Sequence, residues 1–373
     1  MRYNLGSTIF RRVIKNKIEH NNYITIAKAI VIITMVIGHS GCPYALEKVI
    51  YSFHMPFFFV CSGYFFHIPS SKSDLLSFYT RKVKGIYLPF LKWCFLFLLL
   101  HNAFYYLDIY NNQFGYHGSV SNWMTFNTFV RSTIHMLLQM NDIPSLLGGF
   151  WFLKNLFFAS LLIALLSFVT KPYKVGHKYL FFIILVLLAF VSDIKYIGLY
   201  FIGLKELLWS SVFFYSGFLM KDVIIKRHML YVCIITFTGI NILPFYLHFY
   251  VDGVGMMFLF YISGITGTIL IFHLSRIMES LACIKQFLYY AGNHTLIILG
   301  FHFLTFKLVS LLIIVLNGLP MAHLAELPVI ENYKNYWFLY SIVGVIVPLT
   351  MSWTYEKICF YLYYKCGKCK KAK

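Results

Sequence analysis

From residue 23 onward the chain reads as long apolar runs broken by short polar, mostly basic segments. Apolar runs of about 20 residues predict membrane-spanning helices. The first is expected at about 23–39 and the second at about 49–67, followed by the basic segment SKSDLLSFYTRKVK and a third span at about 85–107. Residues 108–149 are the longest non-spanning stretch, mixing Asn, Gly and Ser with aromatics, and 127–140 within it has the pattern of an interfacial helix. Further runs at about 150–170, 179–192, 201–220, 229–250, 254–275, 288–316 and 336–358 bring the expected count to about ten. The pattern predicts an all-α polytopic membrane helix bundle over 23–358, with a basic lead-in (1–22), a basic tail (359–373), no internal repeat and no second domain.

Composition removes the soluble alternative. Of 373 residues 60% are hydrophobic, 20% aromatic and 12% charged, the last about half the share that a soluble domain needs for its surface. The net charge of +19 reads as a topology signal once it is sorted by segment. With the N-terminus inside, the segments 1–22, 67–84, 171–178, 221–228, 276–286 and 356–373 together carry +18, and the outer segments carry −3. The in-span lysines 28, 92, 154 and 307 complete the total. Every basic segment then falls on one side, so both termini are expected in the cytoplasm, facing anionic inner-leaflet lipid rather than nucleic acid. A usage rich in Lys, Asn, Ile, Tyr and Phe suggests an AT-rich bacterial gene, and the inner (plasma) membrane is the expected location of the bundle. The eight cysteines are mostly scattered through apolar runs and read as small buried hydrophobes. Cys366 and Cys369 form a CxxC in the tail with no second ligand pair nearby, so no metal site is expected.

Chemistry concentrates in KAIVIITMVIGHSGCPYALEKVIYSFHMPFFFVCSGYFF, residues 28–66. Lys28 and His39 are eleven positions apart, which on a helix is about 1100° of rotation, so they share a face about 16 Å apart along the axis. Lys28, one turn into its span, either snorkels to the interface or serves a site; His39 either marks the end of the helix or acts as a general base toward a hydroxyl nucleophile. In the second span Pro56 is expected to disrupt the helix one turn beyond His54, and Ser62-Gly63 permits close approach of a helix or a ligand.

The stretch YITIAKAIVIITMVIGHS followed by FHMPFFFVCSGYFF resembles the signature of the acyltransferase family 3 membrane proteins, and within them the bacterial fucose 4-O-acetylase-like members. Lys28 and His39 match the family's basic residue, ten residues, then His; Phe53 to Tyr64 matches its second-span pattern. Arg81, Lys82 and Lys84 before Leu88-Pro89, the Trp151-Phe152-Leu153 element, and Gly292-Asn293-His294-Thr295 through His302 resemble later family elements. The chain departs from the pattern at Thr25, where the family usually has an acid, and at Ala29, where it often has Gly.

The resemblance implies an O-acyltransferase, with acetyl-CoA as acyl-donor substrate, no bound cofactor, and a carbohydrate acceptor in a surface or extracellular polysaccharide or its lipid-linked precursor. His39 would be the base, assisted by His54, with Lys28 meeting a phosphate of the donor. Arg81, Lys82 and Lys84 would attract that polyanion or simply anchor the cytoplasmic face. Ser62 is expected as a pocket residue, Trp151 as a sugar platform or an interface anchor, and Tyr64, Asn293 and His302 as further substrate-binding positions. Direct transfer and an acyl-His39 intermediate both remain open. The competing class is a glycan transporter or flippase without covalent chemistry, since intramembrane Lys and His also mark transport paths.

Overall fold

The structure is a computed structural model that describes residues 4–371 except 117, 193–202, 222 and 224–225, with side chains described for 22–361. The expected outer segment 193–206 therefore lies mostly outside the described residues, as do the side chains of the N-terminal lead-in and of Cys366 and Cys369. Helix dominates. α1 (Asn4–His39) carries the first apolar run and ends where Gly41 turns the chain at φ +78°, a backbone angle that glycine adopts without a Cβ clash.

The expected second span is two helices, α2 (Tyr44–Tyr51) and α3 (His54–Tyr64), separated at Ser52-Phe53. The break thus precedes His54 instead of following it. Pro56 sits in the first turn of α3, where its missing N–H leaves no helical hydrogen bond unmade. α4 (Lys72–Lys82) runs into a π-helical turn, Val83–Tyr87, ahead of α5 (Leu88–Leu99) and α6 (His101–Tyr106).

The stretch expected to form an interfacial helix is helical, as α7 (Phe126–Gln139), and turns Phe126 (79% exposed) and Leu138 (75%) outward. A 3₁₀ turn, Ser145–Phe150, leads into α8 (Trp151–Thr170). Then come α9 (Val175–Ser192), α10 (Leu204–Met220), α11 (Arg227–Ile242) and α12 (Val254–Ser280). The run expected as one span over 288–316 is divided at His294 into α13 (Ala282–Asn293) and α14 (Thr295–Asn317). α15 (Trp337–Lys371) closes the bundle.

Among the described residues six helices are long and apolar enough to cross a membrane: Asn22–His39, Ser145–Thr170, Val175–Ser192, Val254–Ser280, Thr295–Asn317 and Glu331–Tyr361. The remaining expected spans are shorter or interrupted helices, namely α2–α3, α5–α6, α10 (17 residues) and α11 (16 residues). No helix break falls at the expected domain boundaries, since α1 runs through residue 22 and α15 through residue 358.

Close helix crossings position the interior. A Cβ on Gly63 of α3 would lie 1.6 Å from the Phe214 carbonyl oxygen of α10, and one on Gly217 would lie 1.9 Å from that of Val60. α1 packs on α13 through Gly292, whose Cβ would meet the Thr25 carbonyl oxygen at 1.9 Å. The start of α15 is tied to the end of α1, where the Ser341 hydroxyl donates to Ser40 Oγ at 3.0 Å, and Gly344 lies against Val36. The two helices are therefore antiparallel, and Asn22 and Tyr361 point toward the same end of the bundle.

Candidate active site

Lys28, Ile32, Met35 and His39 recur at the spacing of one helical face, and that face lines a cavity of about 600 Å³. The volume is that of a small-molecule site. Across from α1, α3 contributes His54, Met55, Phe58, Cys61 and Ser62, and α8 contributes Trp151 to Leu153 and Leu156. The π turn supplies Gly85 and Ile86 at the Lys28 end. Beyond His39 the wall is made by Glu47 and Tyr51 of α2, Tyr116, and the loop after α11 with Tyr246, His248 and Tyr250. Open volume thus accompanies the whole Lys28-to-His39 face.

At the centre, His39 Nδ1 is 2.8 Å from the Tyr51 hydroxyl. Its ring stacks on His302 (centroids 5.7 Å, 29°) and meets Phe303 edge-on at 5.3 Å. Two of the three neighbouring histidines have their tautomers set by backbone. His54 Nδ1 is 2.9 Å from the Ile50 carbonyl, and His302 Nδ1 is 3.1 and 3.0 Å from those of Ile298 and Leu299. A carbonyl only accepts, so each Nδ1 carries the hydrogen and each Nε2 is a bare lone pair. His302 Nε2 is buried with no hydrogen-bond partner among the described residues.

The end beyond His39 is aromatic with one carboxylate. The Tyr246 hydroxyl donates to Glu47 Oε1 at 2.8 Å, and its ring packs between Tyr44 and Tyr51, each at 5.8 Å. Trp151 lies against Phe249 (5.1 Å) and Tyr250 (5.2 Å).

Of the residues singled out in the sequence, Lys28, His39, His54, Ser62 and Trp151 share the cavity. His302 backs it through the His39 ring without lining it. Tyr64 packs against Phe65 and Phe272 outside the cavity lining. Asn293 is exposed at the end of α13; the contribution of its neighbourhood is the Gly292 crossing beside Thr25. Arg81 bonds Ser77 Oγ at 2.7 Å and Lys84 is exposed, so neither reaches the cavity. Tyr51, Glu47 and Tyr246 were not singled out. Glu47 and Tyr51 are four apart in YALEKVIY, a readable helical pair, whereas Tyr246 arrives from almost 200 positions away and left no signal in the sequence.

Lys82 is held between the rings of Phe78 (5.3 Å) and Phe214 (5.6 Å). Burial, with Arg81 adjacent, pushes its amine down to about 8, against about 10.4 in an unfolded chain. Between those values the unfolded state binds more protons, so this group's contribution to stability rises with pH through that window and falls away below it. Lys82→Met is therefore expected to melt higher than the parent at pH 7, with the difference narrowing above pH 8. Thermal melts in detergent at several pH values check this; a gap that does not change with pH refutes it.

Comparison with known proteins gives one family. The family model described as an acyltransferase domain, Acyl_transf_3, matches residues 21–356. No curated protein and no solved structure matches the chain.

Proposed function

The chain belongs to this acyltransferase family, and from that premise we propose that it is an integral membrane O-acetyltransferase moving an acetyl group from acetyl-CoA to a carbohydrate hydroxyl. The acceptor is a surface or extracellular polysaccharide of a bacterial cell, or its lipid-linked precursor, and the bundle sits in the inner membrane with its basic segments in the cytoplasm. The observation that carries this reading is the cavity along the Lys28-to-His39 face. It gives the donor's arm a path from the cytoplasmic end to a base about 16 Å away.

In the proposed reaction the acceptor hydroxyl gives its proton to His39 Nε2 while its oxygen bonds to the thioester carbonyl carbon. The tetrahedral intermediate collapses with cleavage of the carbon–sulfur bond. The departing thiolate takes the proton back from His39, leaving acetylated glycan and free CoA. His54 presents its bare Nε2 beside this centre, and Ser62 lines the pocket wall. Lys28 meets a donor phosphate as a point charge.

The test is incubation of the purified protein with labelled acetyl-CoA and a panel of neutral oligosaccharides. Labelled glycan and released CoA are expected. Folded protein that releases no CoA and acetylates nothing, yet moves glycan across a vesicle membrane, would make it a transporter. In the same assay Lys28→Gln is expected to raise KM for acetyl-CoA by about 10- to 100-fold, the worth of one charge-assisted contact. An unchanged KM would remove Lys28 from donor binding.

A further inference from the structure

The three histidines around the cavity differ in what sets their tautomer. Backbone carbonyls hold His54 and His302, whereas His39 Nδ1 faces a hydroxyl that can donate or accept. The direction of that bond decides which His39 nitrogen is left as a base. If Tyr51 donates, Nδ1 is consumed and Nε2 carries the hydrogen. If Tyr51 accepts, Nε2 is bare.

Glu47 decides between them. It stands one turn before Tyr51 on α2, on the same face, and both side chains line the cavity. Its Oε1 already accepts the Tyr246 hydroxyl, which fixes the carboxylate, and the Tyr246 ring packs on that of Tyr51 at 5.8 Å, so the charge is held on the Tyr51 side of the cavity. A fixed negative charge turns a neighbouring O–H dipole so that the hydrogen points toward it. The oxygen lone pairs of Tyr51 are then left for His39 Nδ1–H.

We propose that Tyr51, oriented by Glu47, is the positioning residue for His39: it accepts the Nδ1 hydrogen and leaves Nε2 bare toward the cavity. A carboxylate, a phenol and an imidazole thus act in series, with the phenol holding both the tautomer and the ring angle. The arrangement deepens the acyltransferase reading, since it rests on His39 being the base.

Tyr51→Phe removes only the hydroxyl and keeps the ring contacts with His54 (5.1 Å) and Tyr246 (5.8 Å). Nitrogen-15 NMR of histidine-labelled protein in detergent, with the His39 signals assigned by their loss in His39→Gln, reads the tautomer without any substrate. The parent is expected to show a protonated Nδ1 and a bare Nε2 at His39, and Tyr51→Phe a mixture of tautomers. Glu47→Gln is expected to shift the His39 signals in the same sense. In the acetyl-CoA assay Tyr51→Phe is expected to lower kcat about tenfold, the worth of one hydrogen bond, with KM for acetyl-CoA unchanged. A His39 tautomer that is the same in parent and Tyr51→Phe overturns the proposal even if His39 proves essential. A tautomer that is lost without change in kcat upholds the positioning and instead overturns His39 as the base.

Discussion

Replacing His39 with alanine is expected to slow acetyl transfer by about 10²- to 10⁴-fold, the range for loss of a general base. The folded bundle should persist. His39 is only half-buried and borders open cavity on one side, so truncation enlarges an existing space rather than opening a void in packed core. Its protein partners are the Tyr51 hydroxyl and the rings of His302 and Phe303, and the Tyr51, His302 and Phe303 rings each keep other aromatic contacts. The measurement is the initial rate with labelled acetyl-CoA, normalised to protein that elutes as a single monodisperse species. His54→Gln supplies the comparison, because His54 also presents a bare Nε2 to the cavity. A smaller loss is expected there, since His39 and not His54 has the hydroxyl partner that tunes it. A His39→Ala rate close to the parent, together with a His54→Gln rate reduced a hundredfold or more, would move the base to His54.

The face joining Lys28 to His39 was legible because helical periodicity is a property of the segment alone. Counting eleven residues located one wall of the cavity before any neighbour was known. Two of its other walls were not legible. The break at Ser52-Phe53 has no proline in it, whereas Pro56 looks like a breaker and instead occupies the first turn of α3, where it is tolerated. The carboxylate end is assembled from α2, Tyr116 and the loop carrying Tyr246, and such long-range convergence leaves no local pattern.

The basic trio lies outside the cavity lining. Arg81 and Lys84 lie on the surface and Lys82 is wedged between two phenylalanines, so charge sorted to one side of a membrane does not locate a ligand. Span count was limited by the same locality. An apolar run such as 288–316 reads as one helix, but the chain turns at His294, where its Nε2 bonds Glu356, 62 residues away, at 2.8 Å.

Gly217→Ala is expected to cost the bundle about 3 kcal/mol or more, beyond the usual range for adding one methyl to a packed interior. The reason is what the methyl meets. At Gly217 it would fall 1.9 Å from the Val60 carbonyl oxygen and 2.9 Å from the Tyr64 backbone nitrogen, and neither can rotate aside. The reciprocal site is as tight, with Gly63 facing the Phe214 carbonyl oxygen at 1.6 Å. The only relief is to separate α3 from α10, which strips contacts from Phe59, Val60, Phe213 and Phe214, all fully buried.

That separation also moves function, because α3 carries His54 and Ser62 into the cavity. Gly217→Ala protein that survives in the membrane is therefore expected to transfer acetyl groups poorly even per folded molecule. Gly85→Ala is the matched control: this glycine lines the same cavity, and an added Cβ meets nothing within 4 Å. It should melt at or above the parent temperature. Membrane yield and thermal melts in detergent for the pair decide the matter. If Gly217→Ala melts like Gly85→Ala, the α3–α10 crossing is loose enough to absorb a methyl and does not hold the cavity wall in place.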